Sequence, residues 1–149
     1  MNKRRMSLLA SLLVLLTACS APAGPEQGTE GVLVYYLLPE EEARGADRIG
    51  ARWESLALPE GADDLTEARA VVERLMAGPE DESMYSPLPE GVELLGLELR
   101  DRPAYVDFSG EIRDLTGVEL ALADYCLTLT LTALDSVRAV TVTAQGRPL

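Results

Sequence analysis

The sequence predicts an α+β fold in which two helices pack on one face of a small mixed sheet. Three observations lead to this prediction. Short β-rich runs bounded by Pro and Gly recur along the chain, an amphipathic helical segment follows the first two runs, and a longer apolar segment precedes the last one. The predicted order is strand, strand, helix, hairpin, helix, strand.

Two strands are predicted at the start of this domain. Gly31–Leu38 (GVLVYYLL) is rich in β-branched and aromatic residues and stops at Pro39. A weaker strand is expected over Arg48–Leu58, because this run has β character around Trp53–Leu58 and ends at Pro59.

The first helix is predicted from its caps and its apolar stripe. Asp63 or Asp64 can cap its start, and Gly78-Pro79 ends it. Between them, apolar residues recur at helical spacing. They are Leu65, Ala68, Val72, Leu75 and Met76.

A hairpin is predicted next. Val92–Arg100 and Ala104–Phe108 both read as strands, and Asp101-Arg102-Pro103 forms the turn between them. Residues 109–116 are expected to form a loop.

The segment Glu119–Leu134 fits two patterns. Leu127–Leu131 alternates as a strand would, but sixteen residues without a breaker are long for a strand. We therefore predict a helix here, followed by a last strand over Val137–Ala144. The residues that recur at helical spacing are Leu120, Ala123, Leu127, Leu131 and Leu134.

The N-terminus has the layout of a lipoprotein signal. Basic residues 3–5 precede the apolar run Met6–Leu16, which is shorter than the ~20 residues that span a bilayer core. Leu16-Thr17-Ala18-Cys19 resembles a lipobox, in which the cysteine thiol carries diacylglycerol, and palmitate is an expected acyl group. We predict a signal peptide over 1–18, a flexible tether over 19–30 and one domain over 31–147.

Lipidation of Cys19 would hold the chain on the outer face of the cytoplasmic membrane, because two or more acyl chains give stable anchoring. The alternative is an ordinary secretory signal that ends near Ala18 or Ala23, with Cys19 incidental.

The charge of the chain excludes one class of partner. The 149 residues carry a net charge of −12, and no lysine follows Lys3. Phosphate binding needs clustered basic residues, so nucleic acid is not an expected partner.

Little in the sequence indicates catalysis. The chain has no histidine, which excludes Ser-His-Asp sites and zinc sites built on histidine. Asp107 with Glu111, or Asp63 with Asp64, could form a carboxylate pair, but acidic residues are numerous enough for accidental pairs. We predict no enzymatic activity, no cofactor and no metal site.

Two other kinds of residue are candidates for contacts or reactivity. Tyr35, Tyr36 and Trp53 could form an aromatic platform for a glycan, a peptide or a protein partner, although only one of the two tyrosines can face the core. Cys126 lies among leucines and is expected to be a small buried residue rather than a reactive thiol.

Spaced motifs give the chain a resemblance to a known family. They are LMAGP (75–79), SPLPEG (86–91), AYVDFS (104–109) and TLTLTAL (128–134), with VYY (34–36) near the start. Together they resemble the GerMN domain of GerM-type sporulation and spore-germination proteins over about residues 31–147.

The resemblance implies a fold and a setting. Proteins of this kind are lipoproteins on the outer face of the cytoplasmic membrane in endospore-forming bacteria. Their helix–hairpin–helix–strand core resembles the ring-building motif of proteins that assemble in the intermembrane space. The implied function is to support sporulation, spore germination or an envelope complex through contacts with other proteins. The alternative is a peptidoglycan-binding module.

Overall fold

A computed structural model describes residues 31–40, 48–80 and 83–149. The predicted signal peptide, the tether and Cys19 lie outside the described residues, as does most of the connection between the first two strands. The elements follow the predicted order, with a 3₁₀ turn and a short last strand added. They are β1 (Gly31–Leu37), β2 (Ile49–Ser55), α1 (Asp64–Ala77), β3 (Leu94–Leu99), β4 (Pro103–Phe108), the 3₁₀ turn (Gly110–Asp114), α2 (Val118–Thr132), β5 (Ala139–Ala144) and β6 (Arg147–Pro148).

The α+β class is confirmed, but the described strands lie in two sheets rather than in one. β1 and β2 form an antiparallel pair, and the other four strands form a mixed sheet in the order β3-β4-β5-β6. β4 and β5 run parallel, with α2 as the connection between them. The helices contact each other, and each also contacts β1 and one strand of the larger sheet.

The free edge of β1 is occupied in two ways. At its end, Leu37 forms a β-bridge with Tyr85, with hydrogen bonds of 3.0 Å in both directions, and in its middle it meets a helix. The backbone N–H of Tyr35 donates a hydrogen bond of 2.9 Å to the side-chain Oγ1 of Thr130 in α2. Thr130 is fully buried. A helix side chain therefore satisfies a backbone group that a further strand would otherwise bind.

β2 lies within the predicted run Arg48–Leu58, but it ends three residues before Leu58 and covers only the start of the portion with β character. Its register with β1 pairs Leu37 with Ile49 and Gly31 with Ser55. Residues after Ser55 pass the end of β1, so the predicted portion at 56–58 has no strand to pair with. The start of β1 at Gly31 therefore sets the end of β2, and the local sequence of β2 does not encode it.

Both ends of α1 agree with the prediction. Asp63 is the N-cap, and its Oδ1 accepts a hydrogen bond of 2.8 Å from the Thr66 N–H. At the other end Gly78 has a φ of 75°, which favours glycine, and its N–H donates to the Leu75 carbonyl.

The ambiguous apolar segment is helical, as predicted. α2 buries one wide face, and its buried residues all lie between Ala123 and Leu131. The hairpin is also confirmed, with a register shift between Leu94 and Gly96 in β3. β4 alternates strictly between half-buried and buried positions, so Val106 and Phe108 enter the core while Asp107 lies on the other face.

The core is continuous across both sheets. It joins the inner face of β1, the buried faces of both helices and the inner face of β4. The largest fully buried side chains are Tyr36, Phe108, Leu75, Ile112, Leu127 and Leu131.

We expect Thr130→Val to destabilise the protein by about 1–3 kcal/mol, because the buried N–H of Tyr35 loses its acceptor while the side-chain volume is kept. Urea unfolding measures this free energy. The control is Thr141→Val, the same change at an exposed position of β5, where we expect little effect. Equal stability of the Thr130 variant and the wild type would contradict the role given to this hydrogen bond.

Candidate interaction surface

The two-stranded sheet has two faces of different chemistry. Residues directly opposite each other in an antiparallel pair share a face. The inner face of β1 is buried against the core, and the β2 residues opposite it are Gly50, Arg52 and Glu54. The charged residues of β2 thus point toward the body of the protein.

A buried ion pair fixes this inward orientation. Arg74 of α1 donates from Nε and Nη2 to the Glu54 Oε2 at 3.0 and 2.8 Å. The two side chains are only 20% and 10% exposed. Burial, followed by the nearby Glu54 carboxylate, raises the pKa of Tyr36, whose hydroxyl also donates to the Arg74 carbonyl at 3.4 Å.

The opposite face of the sheet carries no charge. We call it the outer face; it consists of Gly31, Leu33, Tyr35, Leu37, Ile49, Ala51, Trp53 and Ser55. Trp53 is 52% exposed, and Ala51 and Ser55 are also exposed. In a chain of net charge −12, a strand that turns its charges inward and an exposed tryptophan outward is the reverse of an ordinary surface strand.

The structure places the three predicted aromatic residues on two different faces. Tyr36 is fully buried, so its prediction as a contact residue is wrong: β1 packs that face against the helices. Tyr35 and Trp53 lie on the outer face, where Trp53 is opposite Leu33 and Tyr35 is opposite Ala51. Sequence reasoning missed Leu33 and Ala51, which the uncharged alternate positions of both strands could have revealed.

The candidate carboxylates have structural partners. Asp107 accepts hydrogen bonds from the Thr143 hydroxyl at 2.6 Å and from the Gly146 N–H at 2.8 Å, so it fastens the turn that follows β5. The Ser109 hydroxyl lowers the pKa of Glu111. Asp63 caps α1, and its pKa is lowered by the hydrogen bond from Thr66.

The described part of the chain has neither a cluster of metal-binding side chains nor a helix that could span a membrane. Within residues 31–40, 48–80 and 83–149, no group of three acidic, cysteine or histidine side chains has the arrangement of a metal site. None of the helices found there is long and apolar enough to cross a membrane.

The motifs that carried the resemblance shape the fold. Gly78 ends α1, and the Ser86 Oγ accepts from the Leu88 N–H at 3.2 Å within the proline-rich loop. The Ser109 Oγ accepts from the Glu93 N–H at 2.8 Å and joins the two ends of the hairpin. These contacts, with that of Asp107, explain the motif residues as caps and turn fasteners.

Residues 33–149 match a family model named Germane, whose description is sporulation and spore germination. The chain belongs to the Germane family. The family predicted from the motifs is therefore confirmed, and the domain is related to sporulation and germination. No curated protein sequence matches the chain significantly.

Solved structures share the fold of this Germane domain. The tandem GerMN domains of the sporulation protein GerM from Bacillus subtilis match with 21% identity and a TM-score of 0.59, over 86% of this chain and 43% of that one. The first GerMN domain of the same protein matches with 20% identity and a TM-score of 0.61, over 79% and 86%. A candidate lipoprotein from Clostridium perfringens matches with 16% identity and a TM-score of 0.52, over 85% and 82%.

The Germane chain thus spans less than half the length of the tandem GerM structure. Its order of helix, hairpin, helix and strand agrees with the order implied by the resemblance. The likeness of this core to the ring-building motif stays a prediction.

The buried ion pair gives the first prediction for this surface. We expect Arg74→Leu to cost about 3 kcal/mol, because it leaves the Glu54 carboxylate buried without its partner. The double variant with Glu54→Leu should recover much of this loss. Arg69→Leu, which breaks an exposed pair with Glu73 on the same helix, should cost under about 0.5 kcal/mol. Urea unfolding of the wild type and the three variants measures these free energies. A double variant less stable than Arg74→Leu alone would contradict this account.

The second prediction concerns Cys126, which is buried and free. Burial raises the pKa of its thiol to about 12. The folded state therefore holds the proton more tightly than the unfolded state, whose thiol titrates near ~8.5. This stabilising contribution is complete below that pH and is lost as the pH rises toward 12.

With Cys19→Ser as the background, Cys126 should react with a disulfide reagent at pH 8 only on unfolding. The free energy of unfolding should also fall more steeply from pH 8 to 10 than in the Cys126→Ala control. Rapid labelling of the folded protein would show the thiol to be accessible after all.

Proposed function

We propose that this Germane domain is an extracytoplasmic, lipid-anchored interaction module. It supports sporulation, spore germination or a related envelope complex by binding another protein, and it does so without catalysis. The observation that carries the proposal is the outer face of the two-stranded sheet, where an uncharged surface with an exposed tryptophan replaces the expected charged one.

The energetics of the ion pair support a surface shaped for binding. Placing Glu54 and Arg74 in the interior has a desolvation cost that a hydrophobic pair would avoid. The arrangement keeps the charge of β2 away from its exposed side. Apolar patches that stay uncharged within a polar surface are typical of sites that contact proteins or ligands.

The carboxylates support the absence of catalysis in this proposal. Asp107 and Asp63 each accept hydrogen bonds that fix a turn or a helix end. A carboxylate that is fixed by such hydrogen bonds is not free to flank a scissile bond, as acid–base cleavage requires of both members of a pair.

Anchoring through Cys19 would bring the outer face near the membrane. Residues 19–30 span at most about 40 Å when extended, and they lead directly into β1. Confinement to this layer would raise the local concentration of the domain relative to partners in the same membrane.

The peptidoglycan alternative depends on an aromatic platform. With Tyr36 in the core and Tyr35 half-buried, Trp53 is the one strongly exposed member of the predicted trio. We therefore favour a protein partner, whose apolar side chains could cover the whole outer face.

The anchor is tested with Cys19→Ser in the organism that makes the protein. We expect loss of acyl labelling by palmitate, release of the protein from the membrane fraction, and the same sporulation or envelope defect as a deletion. The urea midpoint should not change, because Cys19 precedes the folded domain. Cys126→Ser serves as the matched control and should stay membrane-bound. A released Cys19→Ser protein with full function would contradict the proposal.

A further inference from the structure

A second apolar surface lies on the solvent side of α2. Val118, Leu122, Tyr125 and Leu129 follow one another at helical spacing and so form a single stripe, which we call the α2 stripe. Val118 is 73% exposed, Tyr125 63% and Leu129 37%. No member of the stripe is charged, although the chain as a whole is strongly acidic.

The α2 stripe borders the outer face of the small sheet. Leu122, in the first half of α2, lines a groove together with Leu37 at the end of β1. Ala133, just beyond the other end of α2, lines a cavity together with Leu33. The helix therefore runs beside β1, and we call the outer face and the α2 stripe together the patch. The charged residues Arg48 and Glu119 also line the groove between Leu122 and Leu37.

An acidic cavity closes one end of this patch. It has a volume of about 280 Å³, and Leu33 and Trp53 form part of its wall. Asp64, Glu67 and Asp135 also line it. A tryptophan beside the carboxylates of Asp64 and Asp135 suits a positively charged side chain, because an aromatic ring and carboxylates both attract a cation.

The arrangement of charge argues against a second copy as the occupant. Two copies would each bring a net charge of −12 and an acidic cavity of their own. Arg48, which borders the other end of the patch, already binds the Glu40 carboxylate at 3.4 Å and the Tyr85 hydroxyl at 3.3 Å. Charge complementarity instead favours a partner that supplies its own basic residue.

We propose that the outer face and the α2 stripe dock a segment of another protein that combines apolar side chains with a Lys or Arg. The apolar side chains cover the patch, and the basic one enters the cavity between Trp53 and Asp135. This inference rests on the proposed function and adds to it the surface used and the chemistry of the partner.

Site-specific photocrosslinking on the full chain, in the organism that makes it, tests the proposal. A benzophenone amino acid replaces Ala51 on the outer face or Tyr125 on the α2 stripe. The control position is Leu95, which is 51% exposed on the larger sheet. We expect both test positions to crosslink the same protein, within a segment that carries a Lys or Arg, and Leu95 to give no such adduct.

Charge variants then test the cavity. Asp135→Asn and Trp53→Ala should each lower the crosslinking yield at Tyr125 at least about fivefold, because a hot-spot contact is lost. The control is Glu98→Gln, which removes an exposed carboxylate from the larger sheet and should leave the yield unchanged. Unchanged urea midpoints exclude misfolding as the cause.

Several outcomes would overturn the inference. In the crosslinking experiment, these are adducts to a second copy, to lipid or to wall glycan, adducts of equal yield from Leu95, or no adduct from either test position. In the charge variants, it is a crosslinking yield that does not change with Asp135→Asn or Trp53→Ala. If one of these occurs while Cys19→Ser still abolishes function, the docking surface is wrong and the anchored interaction module stands. A fully functional Cys19→Ser protein would instead reject the anchored module itself.

Discussion

The hydrogen bond from the Tyr35 N–H to the Thr130 hydroxyl is the contact on which the arrangement of the two sheets depends. A two-stranded sheet is marginal alone and leaves an edge of unpaired backbone groups. Here the buried side chain of Thr130 in α2 satisfies the Tyr35 N–H of this edge, and the backbone of Tyr85 pairs with Leu37 at its end. The helix thereby joins the small sheet to the larger one, which it contacts through β5.

This placement of β1 also determines what the small sheet shows to solvent. With its inner face against the helices, the opposing residues of β2 must face inward too, and Glu54 meets Arg74 there. The charged side chains of β2 face the interior, and the alternate positions of the strand, which face outward, carry no charge. The same packing therefore produces the buried ion pair and the uncharged outer face beside α2.

The motif residues through which this Germane domain resembles its family have structural roles. Gly78, Ser86, Asp107 and Ser109 each cap, fasten or close a local structure. The fold is recognisable at about 20% identity to the GerM domains. Specificity for a partner would then reside in the outer face and in α2 rather than in the motifs.

The sequence by itself determined the elements and the family, because caps, breakers and apolar periodicity are local signals. It predicted α1 from Asp63 to Gly78, the hairpin, and a helix where strand and helix patterns overlapped. Only the tertiary structure decided the division into two sheets, the end of β2 at Ser55 and the burial of Tyr36. Each of these depends on which distant segment lies alongside β1, and no local pattern in residues 31–58 encodes the position of Thr130 or Arg74.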